Sequence, residues 1–320
     1  MRGLNEACRL AKCFGAVAIL FTTACRPDSL VNLKAGLNAT GDPDARQIDV
    51  GGTPRDFLLH IPRNVTSAHP MPLAIMLHGS GGNATDLRSF TAMNPVADSQ
   101  RFMVAYADGS HGSFDGYPSD WNAGTCCGAA QREQVDDLAF IRRIISAAAA
   151  EHTLDKKRVF VVGFSDGGRM AYHAACQLAP QVAAIAVVSG SIVDDACRPA
   201  NAVAVIAIHG TSDDQVPFDD PSATNPPSRV PPAASPLPAS VQFWVASNGC
   251  AVGTTRTAKP SAHVSSTSFT HCSVAYVIAY VIEGGVHGWP GTISNPLGSP
   301  MTELAATHTI ASFLMLHRHK

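Results

Sequence analysis

Short apolar runs alternate along the chain with longer segments in which apolar residues recur every three or four positions. Continuous apolar runs of this length are typical of strands that are covered on both faces, as in a largely parallel sheet. The predicted strands are residues 57–61, 73–77, 103–106, 159–162, 182–188, 203–208 and 276–281. The predicted helices are residues 134–152, 169–178, 239–247 and 301–316. Strands that alternate with helices predict βαβ units, and therefore an α/β fold with one open sheet and helices on both of its faces.

Length and composition favour a folded domain of the size of an enzyme. At 320 residues the chain could form one or two domains. Hydrophobic residues make up 46% of it and charged residues only 15%, which excludes a disordered chain. A net charge of −2 excludes the basic footprint of a protein that binds nucleic acid.

A Pro-rich stretch at residues 217–238 raises the question of a domain boundary. Proline suits neither a helix interior nor a central strand, so we predict an extended surface segment there. It could link two domains, but the candidate catalytic residues lie on both sides of it. We therefore predict a long loop within one domain, residues 46–320.

The N-terminus resembles an export signal. Three basic residues precede the apolar run 14–21, and small residues follow it up to Cys25, which predicts a signal peptide at residues 1–24. The run is shorter than the roughly 20 residues that span a bilayer, and an amphipathic helix of the folded domain is the alternative. Ala24-Cys25 also resembles a bacterial lipoprotein processing site, which makes Cys25 a candidate for lipidation. We expect a flexible segment at residues 25–45 and a secreted, periplasmic or outer-membrane protein.

Cysteine usage supports export. The cysteines that follow the predicted signal and its edge are Cys126, Cys127, Cys176, Cys197, Cys250 and Cys272. An even set in an exported chain predicts up to three disulfides, whose pairing the spacing leaves open. Because neighbouring Cα atoms are too close for an ordinary bridge, we predict that Cys126 and Cys127 bond to different partners. A zinc site is disfavoured, since there is no CxxC pair and no cluster of histidines.

The strongest chemical signal is a GxSxG sequence at residues 163–167, between a predicted strand and a predicted helix. Such a turn is a nucleophile elbow, in which glycines allow a sharp strand-to-helix turn that exposes the Ser165 hydroxyl at the sheet edge. The N-terminus of the following helix directs its positive end toward that oxygen. A purely structural Gly-Ser turn is the alternative.

A second glycine-rich loop, HGSGGN at residues 78–83, follows another predicted strand. Glycines there let backbone N–H groups approach a ligand, and esterases with such a loop use it for half of the oxyanion hole. We predict that the N–H groups of Ser80 and Asp166 form that hole. A phosphate cradle is the rival interpretation, but the Lys of a Walker loop is missing.

A serine nucleophile needs a base, and the base needs a carboxylate that orients it. The chain order in such hydrolases is Ser, then acid, then His. Asp213 and Asp214 follow the predicted strand 203–208, and His287 lies in a glycine-rich loop after the last predicted strand. The remaining histidines near predicted elements, which we expect to pack internally or face solvent, are His173, His209, His263 and His271.

The five segments HGSGGN, WNAGTCCG, GFSDGG, HGTSDDQVP and GGVHGWPG, in this order, resemble the polyhydroxybutyrate depolymerases. That family is similar to the feruloyl and acetylxylan esterases of carbohydrate esterase family one. The resemblance extends from about residue 55 to the C-terminus and implies an α/β-hydrolase fold. It also implies that Ser165 is the nucleophile, His287 the general base and Asp213, rather than Asp214, the acid.

The resemblance implies further features. It suggests that Cys250 pairs with Cys272. Trp289 and Trp121 are candidates to line the substrate pocket, although a large aromatic residue is more often simply part of the core.

The function that follows is an exported serine esterase that forms an acyl-enzyme and needs no cofactor or metal. Polymer depolymerases usually bring a separate binding domain, so we expect soluble hydroxyalkanoate oligomers or plant-wall phenolic esters as substrates. The alternatives are an acetylxylan esterase, a serine peptidase or an acyltransferase with the same triad. We expect no nucleic-acid partner and a membrane contact only through a lipid at Cys25, and the oligomeric state stays open.

Overall fold

A computed structural model describes residues 41–63, 65, 69–110, 119–194, 196–219, 237–251, 253, 255–273 and 275–319. All of them belong to one compact unit, Val31–Lys320. The predicted signal, the lipidation candidate Cys25 and most of the Pro-rich stretch lie outside the described residues.

The described strands form one ten-stranded sheet with the order β1-β2-β4-β3-β5-β6-β7-β10-β9-β8. The central strands, from β4 to β10 in this order, are parallel, and an antiparallel pair extends the sheet at each edge. The strands are β1 (Ala45–Val50), β2 (Thr53–His60), β3 (Met71–Leu77), β4 (Met103–Ala107), β5 (Leu154–Phe164), β6 (Ala184–Val188), β7 (Ala204–Gly210), β8 (Arg256–Ala258), β9 (Val264–Phe269) and β10 (Val277–Ile282).

The central strands β3, β4 and β6 are apolar and buried throughout because both faces of the sheet are covered. In β3, Leu73, Ile75 and Leu77 enter one core, whereas Ala74 and Met76 enter the core on the opposite face. Successive side chains of a strand point to opposite faces, so a strand covered on both sides has no solvent-facing position.

Helices cover both faces of the sheet. Helices α4, α5 and α6 pack on one face, and helices α1, α2 and α7 pack on the other. The helices are α1 (Ala84–Thr91), α2 (Met93–Gln100), α3 (Gly128–Arg132), α4 (Asp137–Glu151), α5 (Asp166–Gln177), α6 (Ala239–Ser247) and α7 (Ala306–Met315). No helix among the described residues is both long and apolar enough to span a bilayer.

All seven predicted strands and all four predicted helices are present, with one correction. The helix predicted over residues 301–316 is interrupted, because a short 3₁₀ helix, Pro300–Glu303, precedes α7. Close to the predicted start of the domain, Asp42 forms an ion pair with Arg88 at 2.6 Å, and β1 begins at Ala45.

The structure pairs all six predicted disulfide cysteines. Cys250 is joined to Cys272, as the resemblance implied, and Cys176 is joined to Cys197. The prediction of different partners for the adjacent cysteines is wrong, since Cys126 and Cys127 are bonded to each other. The peptide bond between them is cis.

A buried ion pair ties the sheet to the loop beside the candidate site. Asp137, the first residue of α4, accepts a hydrogen bond from Arg55 Nη2 of β2 at 2.8 Å and one from the Asn122 backbone N–H at 2.8 Å. The Arg55 guanidinium also lies 4.2 Å from the centre of the Phe140 ring. The three elements that meet here are therefore held by charge, hydrogen bonds and stacking together.

Replacing Asp137 by Ala would leave the Arg55 guanidinium buried without its carboxylate. We expect the free energy of unfolding to fall by about 3–5 kcal/mol, measured by urea denaturation. Asp136→Ala is the matched control, because Asp136 is exposed and caps the same helix through the Ala139 N–H. Loss of that cap should cost only about 1 kcal/mol, and equal losses in the two variants would contradict the prediction.

Candidate active site

The turn between β5 and α5 combines an unusual backbone conformation at Ser165 with very close contacts at the two flanking glycines. Ser165 has φ 55° and ψ −118°, in the left-handed region that a residue with a side chain rarely adopts. A Cβ at Gly163 would overlap the carbonyl oxygen of Gly167, and a Cβ at Gly167 would overlap the carbonyl oxygen of Leu77. The glycines of the GxSxG sequence thus allow the turn, which presents Ser165 at the carboxyl end of β5.

The glycine-rich loop that follows β3 lies directly against this turn. A Cβ at Gly79 would be only 3.1 Å from the Ser165 Cβ and 3.3 Å from the Phe164 ring. In the described part of the chain, the structure records no acceptor for the backbone N–H groups of Ser80 and Asp166. These two N–H groups are the predicted oxyanion donors, and the N-terminus of α5 adds its partial positive charge.

His78 fixes the shape of the glycine-rich loop from inside. Its buried ring accepts a hydrogen bond at Nε2 from the Gly109 N–H at 2.9 Å. The ring proton therefore resides on Nδ1, which donates to the Gly79 carbonyl oxygen at 2.8 Å. The His78 carbonyl in turn accepts from Trp121 Nε1 at 2.9 Å. The sequence analysis missed this histidine, although it stands first in the HGSGGN segment.

The predicted acid, Asp213, and the predicted base, His287, lie in the loops that follow two neighbouring parallel strands, β7 and β10. The Ser212 N–H donates to the Gly285 carbonyl at 2.8 Å, which joins the loops that follow these strands. His287 Nδ1 lies 2.9 Å from both carboxylate oxygens of Asp213. Asp213 is buried and Asp214 is exposed, so His287 pairs with the aspartate that the resemblance favoured.

Two backbone N–H groups and one histidine surround Asp213 in addition to His287. Asp213 Oδ1 accepts the backbone N–H groups of Val216 at 2.9 Å and Gln215 at 3.1 Å, and His209 Nε2 lies 3.4 Å from Oδ2. Burial raises the pKa of the Asp213 carboxyl, but hydrogen bonds from His209, His287 and Val216 outweigh it and hold that pKa well below its ordinary value. The carboxylate therefore stays ionised. The sequence analysis expected His209 to serve only in packing or at the surface, although its position four residues before Asp213 at a strand end was a usable signal.

Phe164 connects the base to the nucleophile turn. Its ring lies 5.0 Å from the His287 ring and 5.5 Å from the Phe90 ring, measured between centroids. Since Phe164 directly precedes Ser165, the predicted nucleophile, acid and base converge at the carboxyl ends of β5, β7 and β10. A cavity of about 240 Å³ adjoins the glycine-rich loop, with Leu87, Phe90 and Phe164 in its walls.

The two tryptophans do not line that cavity, which corrects the prediction of a substrate-binding role. Trp121 and Trp289 are both completely buried, so neither offers a surface to a ligand. Trp289 Nε1 donates to Thr307 Oγ1 at 2.9 Å, and its ring lies edge-on to Phe164 at 6.5 Å. Both residues support groups at the site from behind.

One group of three potential metal ligands lies together among the described residues. The ligand atoms of Asp166, Cys126 and Cys127 are within 4.8 Å of one another. The two sulfurs are bonded to each other, so they are not the thiolates that a zinc site uses.

Burial raises the pKa of the Asp166 carboxyl to about 6, although the Arg169 guanidinium and the Ser80 hydroxyl lower it.

Comparison with known proteins identifies the family. The family model described as esterase PHB depolymerase matches residues 56–229, more than half of the chain. The chain belongs to this esterase family. The protein named "Probable feruloyl esterase C" from Aspergillus terreus is 29% identical over 251 residues, which cover 78% of this esterase and 82% of that protein.

Two further relatives are informative. The bifunctional acetylxylan esterase/xylanase XynS20E of Neocallimastix patriciarum is 33% identical over 163 residues, which cover 51% of this esterase but only 22% of that protein. The solved acetyl xylan esterase from Aspergillus awamori superposes with a TM-score of 0.51 at 14% identity, over 73% of this chain and 89% of that one. The fold is that of the α/β-hydrolases, and the family makes the protein a carboxylic ester hydrolase.

The buried Asp166 carboxyl makes stability depend on pH. Its pKa is about 6 in the folded esterase against an ordinary 3.8, so the folded state holds this proton more tightly and stability falls as the pH rises through that range. Asp166→Asn removes this loss. We expect the variant to gain up to about 3 kcal/mol relative to wild type between pH 4 and pH 7, measured by urea unfolding at both values. The exposed Asp214→Asn is the control, and the same gain in both variants would contradict the assignment.

Proposed function

We propose that this esterase is a serine hydrolase that acts through an acyl-enzyme. The observation that carries the proposal is the convergence at one sheet edge of the strained Ser165 turn and the buried pair of His287 and Asp213. An ionised carboxylate at Nδ1 fixes the tautomer whose Nε2 can accept a proton. Such an arrangement lets a serine hydroxyl act as a nucleophile near neutral pH.

The reaction would proceed in two halves. Ser165 Oγ attacks the ester carbonyl carbon while His287 Nε2 takes its proton, and the N–H groups of Ser80 and Asp166 stabilise the oxyanion. The ester C–O bond then breaks, and His287 returns the proton to the departing alcohol. A water molecule, deprotonated by His287, attacks the acyl-enzyme and releases the carboxylic acid together with Ser165.

For the substrate we propose hydroxyalkanoate oligomers or plant-wall phenolic esters. The cavity beside the glycine-rich loop has two aromatic walls, Phe90 and Phe164, which suit an aromatic or short aliphatic acyl group. Relatives named as feruloyl and acetylxylan esterases support the plant-wall alternative. An acetyl group would fill little of a cavity of about 240 Å³, so acetylxylan is the second candidate.

We further propose that the esterase is exported. The three disulfides among the described residues support an oxidising compartment, and the apolar run that precedes Cys25 has the pattern of a signal peptide. Lipidation of Cys25 would add an anchor to the same export route.

Ser165→Ala tests the nucleophile. We expect kcat/KM to fall by about 10⁵-fold or more on methyl ferulate and on a soluble 3-hydroxybutyrate trimer, because no other group can form the acyl-enzyme. Circular dichroism checks that the variant is folded, and retained activity would refute the mechanism. In the wild-type esterase, the better of the two substrates decides between the plant-wall and polyester alternatives.

Asp213→Asn tests the acid against its neighbour. An amide at Nδ1 favours the wrong tautomer of His287, so we expect kcat to fall by roughly 10⁴-fold. Asp214→Asn, one residue further along and exposed, should stay within about twofold of wild type, as is usual for a surface change. The opposite order of effects would reassign the acid.

A further inference from the structure

We propose that His209 is a positioning residue, which holds the Asp213 carboxylate in the orientation that His287 requires. The proposal rests on the proposed function, because His209 would act on the reaction only through Asp213. His209 is the penultimate residue of β7, and only 4% of its surface is exposed.

The hydrogen-bond partners of His209 determine its tautomer. Its Nε2 lies 2.8 Å from the Val216 carbonyl oxygen, which can only accept a hydrogen bond. The proton must therefore be on Nε2, the same nitrogen that faces Asp213 Oδ2 at 3.4 Å. One N–H group thus points between a backbone carbonyl and the catalytic carboxylate.

The donors around Asp213 are distributed unevenly between its two oxygens. Oδ1 accepts the N–H groups of Gln215 and Val216 in addition to His287 Nδ1. Among the described residues, Oδ2 faces only His287 and His209. His209 is therefore the contact that keeps the carboxylate from rotating about the well-held Oδ1, and with it keeps both oxygens at 2.9 Å from His287.

The same histidine closes the acid loop on itself. Val216 donates its N–H to Asp213 and accepts from His209 at its carbonyl, so the three residues form a hydrogen-bonded ring at the end of β7. The aromatic side chain of Phe218 packs edge-on against the His209 imidazole, with centroids 5.7 Å apart, next to these hydrogen bonds. Misplacement of a catalytic group by about 1 Å can cost on the order of 10²-fold in rate.

Two variants of similar length test the donor itself. His209→Gln keeps an N–H group near the position of Nε2, whereas His209→Met keeps the bulk but has no donor. We expect His209→Met to lower kcat by about 10–100-fold with KM within about twofold, and His209→Gln to recover most of that loss. Equal kcat values for the two variants would overturn the proposal.

A double-mutant cycle tests whether the effect runs through Asp213. If His209 only positions that carboxylate, His209→Met should cost little more than about twofold in kcat when Asp213 is already Asn. A full, additive loss in the Asp213→Asn background would show a merely structural role and would overturn the inference. If Asp213→Asn alone leaves kcat unchanged, the proposed triad fails instead, so the two failures are distinguishable.

A measurement on the wild-type esterase covers the case in which the Met variant does not fold. Nitrogen-15 NMR of the histidine side chains reports which ring nitrogen carries the proton. We expect His209 to carry a proton at Nε2, with that proton protected from solvent. Protonation at Nδ1 alone would leave no donor toward Asp213 or Val216 and would overturn the proposal.

Discussion

The active-site edge of the sheet depends on two residues without side chains, Gly163 and Gly167, at the sharp turn between β5 and α5. Gly163 and Gly167 allow the end of β5, the start of α5 and the end of β3 to approach within backbone contact. This approach has three consequences at once: Ser165 lies partly exposed at the sheet edge, the Asp166 N–H is left without an acceptor among the described residues, and the glycine-rich loop lies beside both. A methyl group at either glycine would overlap backbone atoms of the neighbouring segment and would move Ser165 away from the glycine-rich loop.

A layer of buried side chains supports the reacting groups from behind. Trp121 holds the His78 carbonyl, Trp289 packs behind Phe164, and Asp137 holds the Asn122 backbone. None of these residues needs to touch a substrate to matter for catalysis. Precision at an active site comes from side chains whose own positions are locked by close contacts and satisfied hydrogen bonds.

Much of the fold and the candidate site could be predicted from the sequence, because buried parallel strands and a GxSxG turn leave strong local signals. Helix α1 was missed because it is short and polar, although Asn83 caps it through the Asp86 N–H. The burial of Trp289 could not be predicted, since the sequence does not show which side of a loop faces the core. Asp213 and Asp214 are chemically identical neighbours, and only the fold decides which one is buried beside His287.

The position of β10 has a consequence for how the enzyme matures. The proposed nucleophile and the proposed oxyanion donors belong to the first half of the chain or lie close to its middle, whereas the loop that carries His287 follows β10, which pairs with β7. A partly folded chain in which β10 has not yet docked would carry a shaped elbow without a proton acceptor. In the proposed mechanism, hydrolytic competence therefore requires β10 to be docked on β7, because only then does His287 lie beside Asp213.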